Sequence, residues 1–371
     1  MKILGIETSC DETAAAVVQD GRIICSNVVN SQIDIHAIYG GVVPEVAARS
    51  HIEVINPVIN QALLDANTTW DDIDAIAVTY APGLIGSLLI GTLAARTLAI
   101  LKNKPLYPIH HVEAHVYANF LDKKEYGIWN MEYGKNKSTP IANSQIPIAD
   151  IPQFPILALI VSGGHTQLVL FRNHGDFELL GQTCDDAVGE AFDKVAKIIG
   201  LPYPGGPSVA SAALNGDPLA YQLPKAKLDS VYDFSFSGLK TAVLRAVQRE
   251  VGVDITFPST GLAERLNDVQ RNNFAASFQR IAIETLVDKT ERAFHDFNPK
   301  SVVIAGGVAA NQELRRILSE RLPINIDYAP INLCTDNAAM VASLGYYYSQ
   351  KNQPTSPFEL EVMPSLSMAK S

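Results

Sequence analysis

A pattern of strand, polar turn and strand occurs twice in this chain, and it limits the folds that the chain can adopt. Residues 2–18 place the apolar runs ILGIE and AAAVV on either side of the polar turn SCDET. Residues 155–171 repeat the arrangement, with ILALIV and LVLF on either side of SGGHT. Because the hairpin recurs about 155 residues later, the sequence predicts an internally duplicated protein with two similar α/β halves.

The two predicted turns carry different chemistry. Gly163 and Gly164 in the second turn let backbone N–H groups approach a phosphate or carboxylate closely. The first turn concentrates hydroxyls and carboxylates, although an ordinary hydrophilic turn explains it equally well when it is taken alone. These residues are Thr8, Ser9, Asp11, Glu12 and Thr13.

Two histidines four residues apart predict a metal site. His111 and His115 would share one face of a helix, with Cβ atoms roughly 5–6 Å apart, which suits two imidazoles on one ion. The preceding PLYPIH is typical of a strand that ends in a turn, where open α/β sheets bind ligands. Asp336, at a predicted helix start, is the best third ligand. Polar residues on a half-exposed helix, and an N-cap role for Asp336, remain alternatives.

Composition limits the class of protein. A chain of 371 residues with 47% hydrophobic residues can bury a full core and form two or three domains. Its net charge of −10 argues against broad non-specific nucleic-acid binding, but it leaves room for a local basic patch or a basic partner. The best local basic surface lies on helices from residue 237 onwards, although solvated helix faces usually look the same. Its members are Lys240, Arg245, Arg249, Arg265, Arg271 and Arg280.

Cysteine usage and hydropathy favour a cytoplasmic protein. The cysteines at 10, 25, 184 and 334 are scattered without a CxxC pair, and the N-terminus lacks a signal-peptide pattern. The most apolar window, residues 84–101, contains Arg96 and several hydroxyl residues, so we expect a buried helix rather than a membrane span.

Other stretches point to a nucleotide. Gly306 and Gly307 follow an apolar strand and precede a helix, without GxGxxG spacing or a Walker lysine, and Asn311 could then bond a base or ribose. Asp193 lies on an amphipathic helix, where pairing with Lys197 is the simplest role. The following PYPGGPS predicts a rigid exposed turn.

The ordered motifs resemble one family. They are GIETSCDET, GGVVPEVAARSH, APGLIGSLLIG, HHVEAH, VSGGHTQL, GEAFDKVAK, YPGGP, FSFSGLKTA, AGGVAAN and CTDNAAM. They resemble the TsaD (Gcp/YgjD) family of tRNA N6-adenosine threonylcarbamoyltransferases, formerly described as O-sialoglycoprotein endopeptidases. The resemblance covers nearly the whole chain apart from 123–153 and some helical segments near 250–270.

The resemblance implies an α/β actin/Hsp70/sugar-kinase-like (ASKHA) fold, with two duplicated RNase H-like subdomains around a central cleft. We expect an N-terminal half at 1–122 with a C-terminal helix crossing back to it. A flexible insertion at 123–153, a second half at 154–350 and a tail at 351–371 complete the organisation.

The resemblance also implies the reaction. The threonylcarbamoyl group moves from threonylcarbamoyl-adenylate to N6 of the adenosine adjoining the anticodon in tRNAs that read codons beginning with A, and AMP leaves. Expected partners are a TsaB-like pseudo-paralogue, a TsaE-like ATPase and a TsaC-like synthase that supplies the adenylate. No membrane partner is expected.

Site residues follow from the matched motifs. The metal ligands would be His111, His115 and Asp336. The expected ion is Fe²⁺, and Zn²⁺ is the alternative. The adenylate would contact Ile160, Val161, Ser162, Gly163, Gly164, Asp193, Gly206 and Asn311. Asp11 and Glu12 match acidic residues implicated in activity. Ile160 departs from archaeal and eukaryotic relatives, which carry a metal-reaching tyrosine there, so more positions on the ion should stay open.

Two other functions are alternatives to this one, a metallopeptidase and a phosphotransferase. A metallopeptidase of the HExxH type places its glutamate directly after the first histidine, whereas Glu113 lies about 200° round the helix from His111. A phosphotransferase on the same fold would bind Mg²⁺ through oxygen ligands, whereas a His-His-Asp set favours a transition metal.

Overall fold

The computed structural model describes residues 1–122, 129–130 (backbone alone) and 151–368. Most of the insertion expected at 123–153 lies outside the described residues. The strands are β1 (Lys2–Glu7), β2 (Glu12–Gln19), β3 (Ile23–Ser31), β4 (Ala75–Ala81), β5 (Leu106–His110), β6 (Trp129–Asn130), β7 (Ile156–Val161), β8 (Thr166–Asn173), β9 (Asp176–Gln182), β10 (Ser301–Ala305) and β11 (Ile326–Tyr328). The helices are α1 (Ile33–Ala37), α2 (Pro44–Asp65), α3 (Ile85–Lys102), α4 (His111–Tyr117), α5 (Val188–Ile199), α6 (Gly205–Ala213), α7 (Ser237–Glu250), α8 (Asp268–Phe297), α9 (Gln312–Arg321), α10 (Ile331–Cys334) and α11 (Ala338–Ser349).

The strands form two mixed sheets with equivalent topology. The first has the order β5-β4-β1-β2-β3-β6, and the second has the order β11-β10-β7-β8-β9. In each sheet a hairpin provides an antiparallel pair, β1–β2 or β7–β8, and its first strand pairs in parallel with a later strand, β4 or β10. The predicted duplication of the hairpin and of an α/β half is confirmed, and with it the fold class.

The chain separates into two compact units. Unit 1 comprises residues 1–152, 173–176 and 328–371, and unit 2 comprises residues 153–172 and 177–327. The first sheet lies in unit 1 and the central strands of the second lie in unit 2. Each hairpin is buried almost throughout, because both of its strands carry apolar side chains on the two faces of a covered sheet.

The C-terminal helix α11 belongs to unit 1 and packs on β1 and α4. A Cβ atom on Gly5 of β1 would lie 2.3 Å from the carbonyl oxygen of Ala338, so glycine is what lets helix and strand approach. This contact carries the segment before α11 back to the first sheet.

The apolar helix α3 is buried on one face only. Leu88, Ala95 and Ala99 are buried against α2 and β4, whereas Leu89 and Leu93 are exposed. Among the described residues α3 is the one helix whose length and composition would allow it to cross a membrane, and 33% of it is buried. The expectation of a buried helix therefore holds for one side of α3.

Candidate metal centre and nucleotide-binding residues

Three side chains of unit 1 converge on one point. Helix α4 begins at His111 directly after β5, as predicted, so His111 and His115 lie one turn apart at the carboxyl end of a strand. Asp336 reaches the same point from the segment before α11. The potential ligand atoms of the three residues all lie within 4.8 Å of one another, and Asp336 Oδ1 lies 3.5 Å from His111 Nε2 and 3.2 Å from His115 Nε2.

Asp336 is not the residue that caps the N-terminus of α11. Asn337, not Asp336, is the N-cap, and its side chain accepts a hydrogen bond from the Met340 backbone N–H at 3.1 Å. The alternative of Asp336 as N-cap is therefore wrong, because the neighbouring amide performs that function.

A buried acid orients the first histidine. Glu7, at the end of β1, accepts hydrogen bonds from the Ser9 backbone N–H and the Thr79 hydroxyl, both at 2.5 Å. Its Oε2 lies 3.2 Å from His111 Nδ1, and the Ser9 hydroxyl lies 3.1 Å from the same nitrogen. Such a partner places the ring proton on Nδ1 and leaves Nε2 for a ligand, as in carboxylate–histidine–metal arrangements.

Electrostatics link these groups. Burial opposes a charge on His111, but Asp336 and Glu7 outweigh it and raise the pKa of His111 to about 9. Burial would likewise raise the pKa of Glu7, but the charge of His111 and its hydrogen bond hold that pKa below the ordinary value. A protonated His111 therefore balances part of the negative charge of Glu7 and Asp336.

The residues present fit a divalent metal ion. His115 is 1% exposed, and within the described part of the chain neither of its buried ring nitrogens makes a hydrogen bond of ordinary geometry, although Nε2 lies 3.2 Å from Asp336 Oδ1. Buried polar atoms are rarely left unpaired, and a ligated metal is one way to satisfy Nε2. Two imidazoles and one carboxylate make a donor set that transition metals accept.

Glu113 occupies the opposite side of α4. It is fully buried, and its Oε2 accepts a hydrogen bond from the Tyr348 hydroxyl at 2.7 Å. Burial raises the pKa of Glu113 to about 7, against the effect of that bond. Its link to α11 removes it from the position that a peptidase glutamate needs beside the histidines.

Asp11 and Glu12 lie in the first turn, as predicted. Asp11 is buried and Glu12 is half-buried at the start of β2, where its Oε1 accepts a hydrogen bond from the Ser31 hydroxyl at 3.3 Å. Burial, then the charges of Asp11 and Asp336, raise the pKa of Glu12 well above its ordinary value. Burial beside these acidic neighbours therefore favours the protonated form of Glu12 more than its ordinary pKa would.

In unit 2 the second turn presents open glycines. Ile160 and Val161 are buried in β7, and the turn closes through a hydrogen bond from the Ser162 N–H to the His165 carbonyl at 2.8 Å. No described atom lies within 4 Å of a Cβ built on Gly163 or Gly164. Packing within the chain therefore does not explain why glycine occupies these exposed positions.

Asp193 and Gly206 lie where α5 meets α6. Asp193 Oδ1 accepts a hydrogen bond from the Gly205 backbone N–H at 2.6 Å, and the backbones are so close that a Cβ on Gly205 would lie 2.4 Å from Asp193 Cα. A Cβ on Gly206 would meet no described atom within 4 Å. The predicted exposed turn at 202–208 is wrong, because α6 begins at Gly205, which is buried.

Asn311 forms the N-cap of α9. Its side-chain oxygen accepts hydrogen bonds from the Glu313 and Leu314 backbone N–H groups, and its amide nitrogen donates to Gln279 Oε1 at 2.9 Å. The preceding Gly306 has φ +90°, and a Cβ there would lie 2.4 Å from the Val161 carbonyl oxygen. The β10 turn thus packs directly on the end of β7.

The basic residues of unit 2 are largely paired. Lys240 binds Asp186 at 2.7 Å, and Arg280 binds Glu284 at 3.2 Å. Arg271 donates to the carbonyl of Ile199 and to Asp268. These contacts favour the solvated-helix interpretation of that surface.

Sequence reasoning missed Glu7 and Thr79. Glu7 ends the otherwise apolar strand ILGIE, and a carboxylate in a buried strand is the signal that could have identified it. Thr79 gave no comparable signal, because its role depends on the parallel pairing of β1 with β4.

Comparisons with known proteins identify the family of this chain. A family model described as "TsaD: tRNA N6-adenosine threonylcarbamoyltransferase" matches residues 23–128 and 139–343. The chain belongs to the TsaD family. Two relatives named tRNA N6-adenosine threonylcarbamoyltransferase are 49% and 50% identical to it. The first, from Thermomicrobium roseum, matches 95% of this chain and 93% of its own, and the second, from Symbiobacterium thermophilum, matches 93% and 91%.

Structural similarity extends further at low sequence identity. Full-length HypF in a phosphate- and nucleotide-bound form matches with a TM-score of 0.55 and 12% identity, over 95% of this chain and 56% of that chain. This likeness shows the fold alone.

Family membership establishes the activity. The chain is an acyltransferase that places a threonylcarbamoyl group on N6 of adenosine in tRNA. The family implies a metal-dependent enzyme with tRNA as substrate. The peptidase and phosphotransferase alternatives are not favoured.

Proposed function

We propose that His111, His115 and Asp336 hold one divalent metal ion in the transfer reaction, and that Fe²⁺ is the native metal. The proposal is supported by the convergence of the three ligand atoms within 4.8 Å and by the buried nitrogens of His115. A bound ion would polarise the acyl carbonyl of the donor. Ile160 has no atom that could ligate an ion, so a bound ion would keep positions open for that carbonyl or for water.

The donor is proposed to be threonylcarbamoyl-adenylate, with its adenylate part bound by unit 2. The open space at Gly163, Gly164 and Gly206 would let the backbone approach a phosphate or a ribose closely. Ile160, Val161 and Ser162 shape the same turn. Asp193 and Asn311 would fix the edges of this surface, since both already anchor helix starts.

The transfer needs positioning and charge stabilisation more than a strong nucleophile. The acyl carbon of a carbamic–phosphoric anhydride is already activated, whereas the exocyclic amine of adenine is a poor nucleophile. The N6–C bond forms, the C–O bond to phosphate breaks, and AMP leaves with that electron pair. We assign acceptance of the N6 proton to Asp11, because burial and acidic neighbours raise the pKa of Glu12 and favour its protonated form.

The acceptor is proposed to be the adenosine adjoining the anticodon in tRNAs that read codons beginning with A. A TsaB-like pseudo-paralogue and a TsaE-like ATPase would assist turnover, and a TsaC-like synthase would supply the adenylate. The expected compartment is the cytoplasm.

The convergence of His111, His115 and Asp336 is the observation that carries the proposal. It is tested by mass spectrometry of tRNA nucleosides from cells depleted of this protein and supplied with the native chain, His115→Ala or Asp11→Asn. Modified adenosine should return with the native chain and stay absent with both variants. Full modification by His115→Ala would refute the metal assignment, and full modification by Asp11→Asn would refute the proposed base.

A further inference from the structure

A short loop of unit 1 exposes apolar side chains beside the Asp11–Glu12 turn. Residues 33–43, the 33–43 loop, connect β3 to α2. Ile38 is 84% exposed and Tyr39 is 58% exposed, whereas His36 and the adjacent Gln32 are buried. A neighbouring aromatic and large aliphatic side chain exposed together form a small apolar patch, and contiguous exposed apolar patches often mark binding sites.

The base of this loop is fastened to the acidic turn. The Gln32 backbone N–H donates to the Asp11 carbonyl at 3.1 Å, and the Gln32 side-chain oxygen lies 3.1 Å from His36 Nε2. His36 Nδ1 accepts a hydrogen bond from the Val43 N–H at 3.3 Å, which closes the loop at its far end. These buried bonds hold the loop at a fixed place relative to Asp11.

The tip of the 33–43 loop lies close to Gln32, where the loop is fastened. The His36 N–H donates to the Gln32 carbonyl and the Tyr39 N–H donates to the His36 carbonyl, so the segment is coiled in turns. At a helical rise, seven residues from Gln32 to Tyr39 span about 10 Å. Tyr39 therefore lies within the length of about one or two nucleotides of Asp11, the proposed proton acceptor.

The chemistry of the tip favours an uncharged flat ligand. The loop contains no lysine or arginine, and Asp34 is its one acidic residue, which repels phosphate. Sequence-tolerant RNA contacts without cations are made by stacking bases on aromatic faces, and single-stranded loops are the parts of RNA that offer unstacked bases. The established substrate is a tRNA, and enzymes that modify a base act on it in a single strand or after it has left its stack.

We propose that Tyr39, supported by Ile38, is the platform on which an unstacked base next to the target adenosine of the tRNA stacks during transfer. This inference rests on the proposed place of Asp11 in the reaction. Stacking by Tyr39 would hold the anticodon loop open beside Asp11 and would not depend on phosphate contacts.

The test uses the full chain with the proteins that its transfer reaction requires. Tyr39→Ala, Tyr39→Phe and Ile38→Ala are compared with Phe358→Ala, a control that removes another exposed aromatic side chain of unit 1. The measurements are tRNA affinity over a range of salt concentrations, KM for tRNA, and the fluorescence of 2-aminopurine placed beside the target adenosine.

Tyr39→Ala should weaken tRNA binding about tenfold, within the range expected for one lost base stack. The slope of affinity against salt should stay unchanged, because no phosphate contact is lost. The 2-aminopurine quenching should disappear in Tyr39→Ala and persist in Tyr39→Phe and Phe358→Ala.

Unchanged tRNA affinity and quenching in Tyr39→Ala would overturn the proposal. So would a Tyr39→Ala chain that binds tRNA normally but loses association with a protein partner or with a second copy of itself, because the tip would then be a protein-docking surface. Failure of the proposed base is read separately: Asp11→Asn should abolish transfer while it leaves tRNA affinity intact.

Discussion

The turn between β1 and β2 and the turn between β7 and β8 occupy equivalent places in two equivalent sheets, yet they are built in opposite ways. In the first turn the side chains of Ser9 and Asp11 are buried. The Ser9 backbone N–H donates to Glu7, and both Glu7 and the Ser9 hydroxyl lie within hydrogen-bond distance of His111. The second is exposed backbone at Gly163 and Gly164, with open space where a side chain would be. A duplicated topology thus fixes where a turn lies, whereas side chains decide whether the turn packs beside His111 or leaves open space.

Among the tests of this comparison, the largest effect is expected when one of the proposed metal ligands of unit 1, the unit with the packed turn, is removed. His115→Ala should lower metal affinity by more than about 100-fold, since loss of a supporting residue alone costs 10–100-fold. Metal content after dialysis and chelator competition measure this. His295→Ala, an exposed histidine of α8, is the control. Equal metal content in both variants would mean that unit 1 has no metal site at these residues.

The packed side should also show a pH-dependent stability that the open side lacks. Burial raises the pKa of Glu113 to about 7 from 4.5, against the bond from Tyr348. Between these values the folded chain binds a proton that the unfolded chain does not, so stability falls by about 3 kcal/mol as pH rises. Glu113→Gln has no proton to lose there and should be the more stable chain at pH 8.

Urea unfolding at pH 4.5 and pH 8 measures this difference. The exposed Glu45→Gln is the matched control and should follow the native chain at both values. A Glu113→Gln chain that loses stability with pH as steeply as the native chain would show that another group is responsible.

Glu7→Gln sharpens the comparison further, because it changes one charge and almost no volume. The Gln side chain should fill the space but orient His111 less well, so metal affinity should fall about 10–100-fold while the three ligands remain. Chelator competition measures the affinity, and thermal unfolding reports whether the fold survives. Native affinity in a folded Glu7→Gln chain would remove Glu7 from the metal centre.

The smallest expected effect lies on the open side. Gly164→Ala should weaken AMP binding about tenfold by filling space proposed for the adenylate, while the melting temperature stays unchanged. Gly91→Ala is the contrasting variant, since its Cβ would lie 2.3 Å from the Thr8 hydroxyl, and it should lower the melting temperature. Normal AMP binding in calorimetry of Gly164→Ala would mean that the open space serves another purpose.

The sequence alone determined the repeated hairpins and the spacing of His111 and His115. Alternation of apolar runs and polar turns is a local property of the chain, and so is the one-turn spacing of two histidines on a helix. The start of α2 at Pro44 after a glycine-containing loop was likewise readable, because proline favours the first turn of a helix.

Only the tertiary structure decided that Glu7 contacts His111 and how Asp336 reaches the two histidines. Glu7 reaches His111 across 104 positions of sequence, and Asp336 arrives because α11 packs on β1 through the gap at Gly5. The shift of the cap to Asn337, and the engagement of Glu113 with Tyr348, also depend on contacts between distant segments. Such contacts follow from packing and burial, which set pKa values and hydrogen-bond partners that local sequence does not encode.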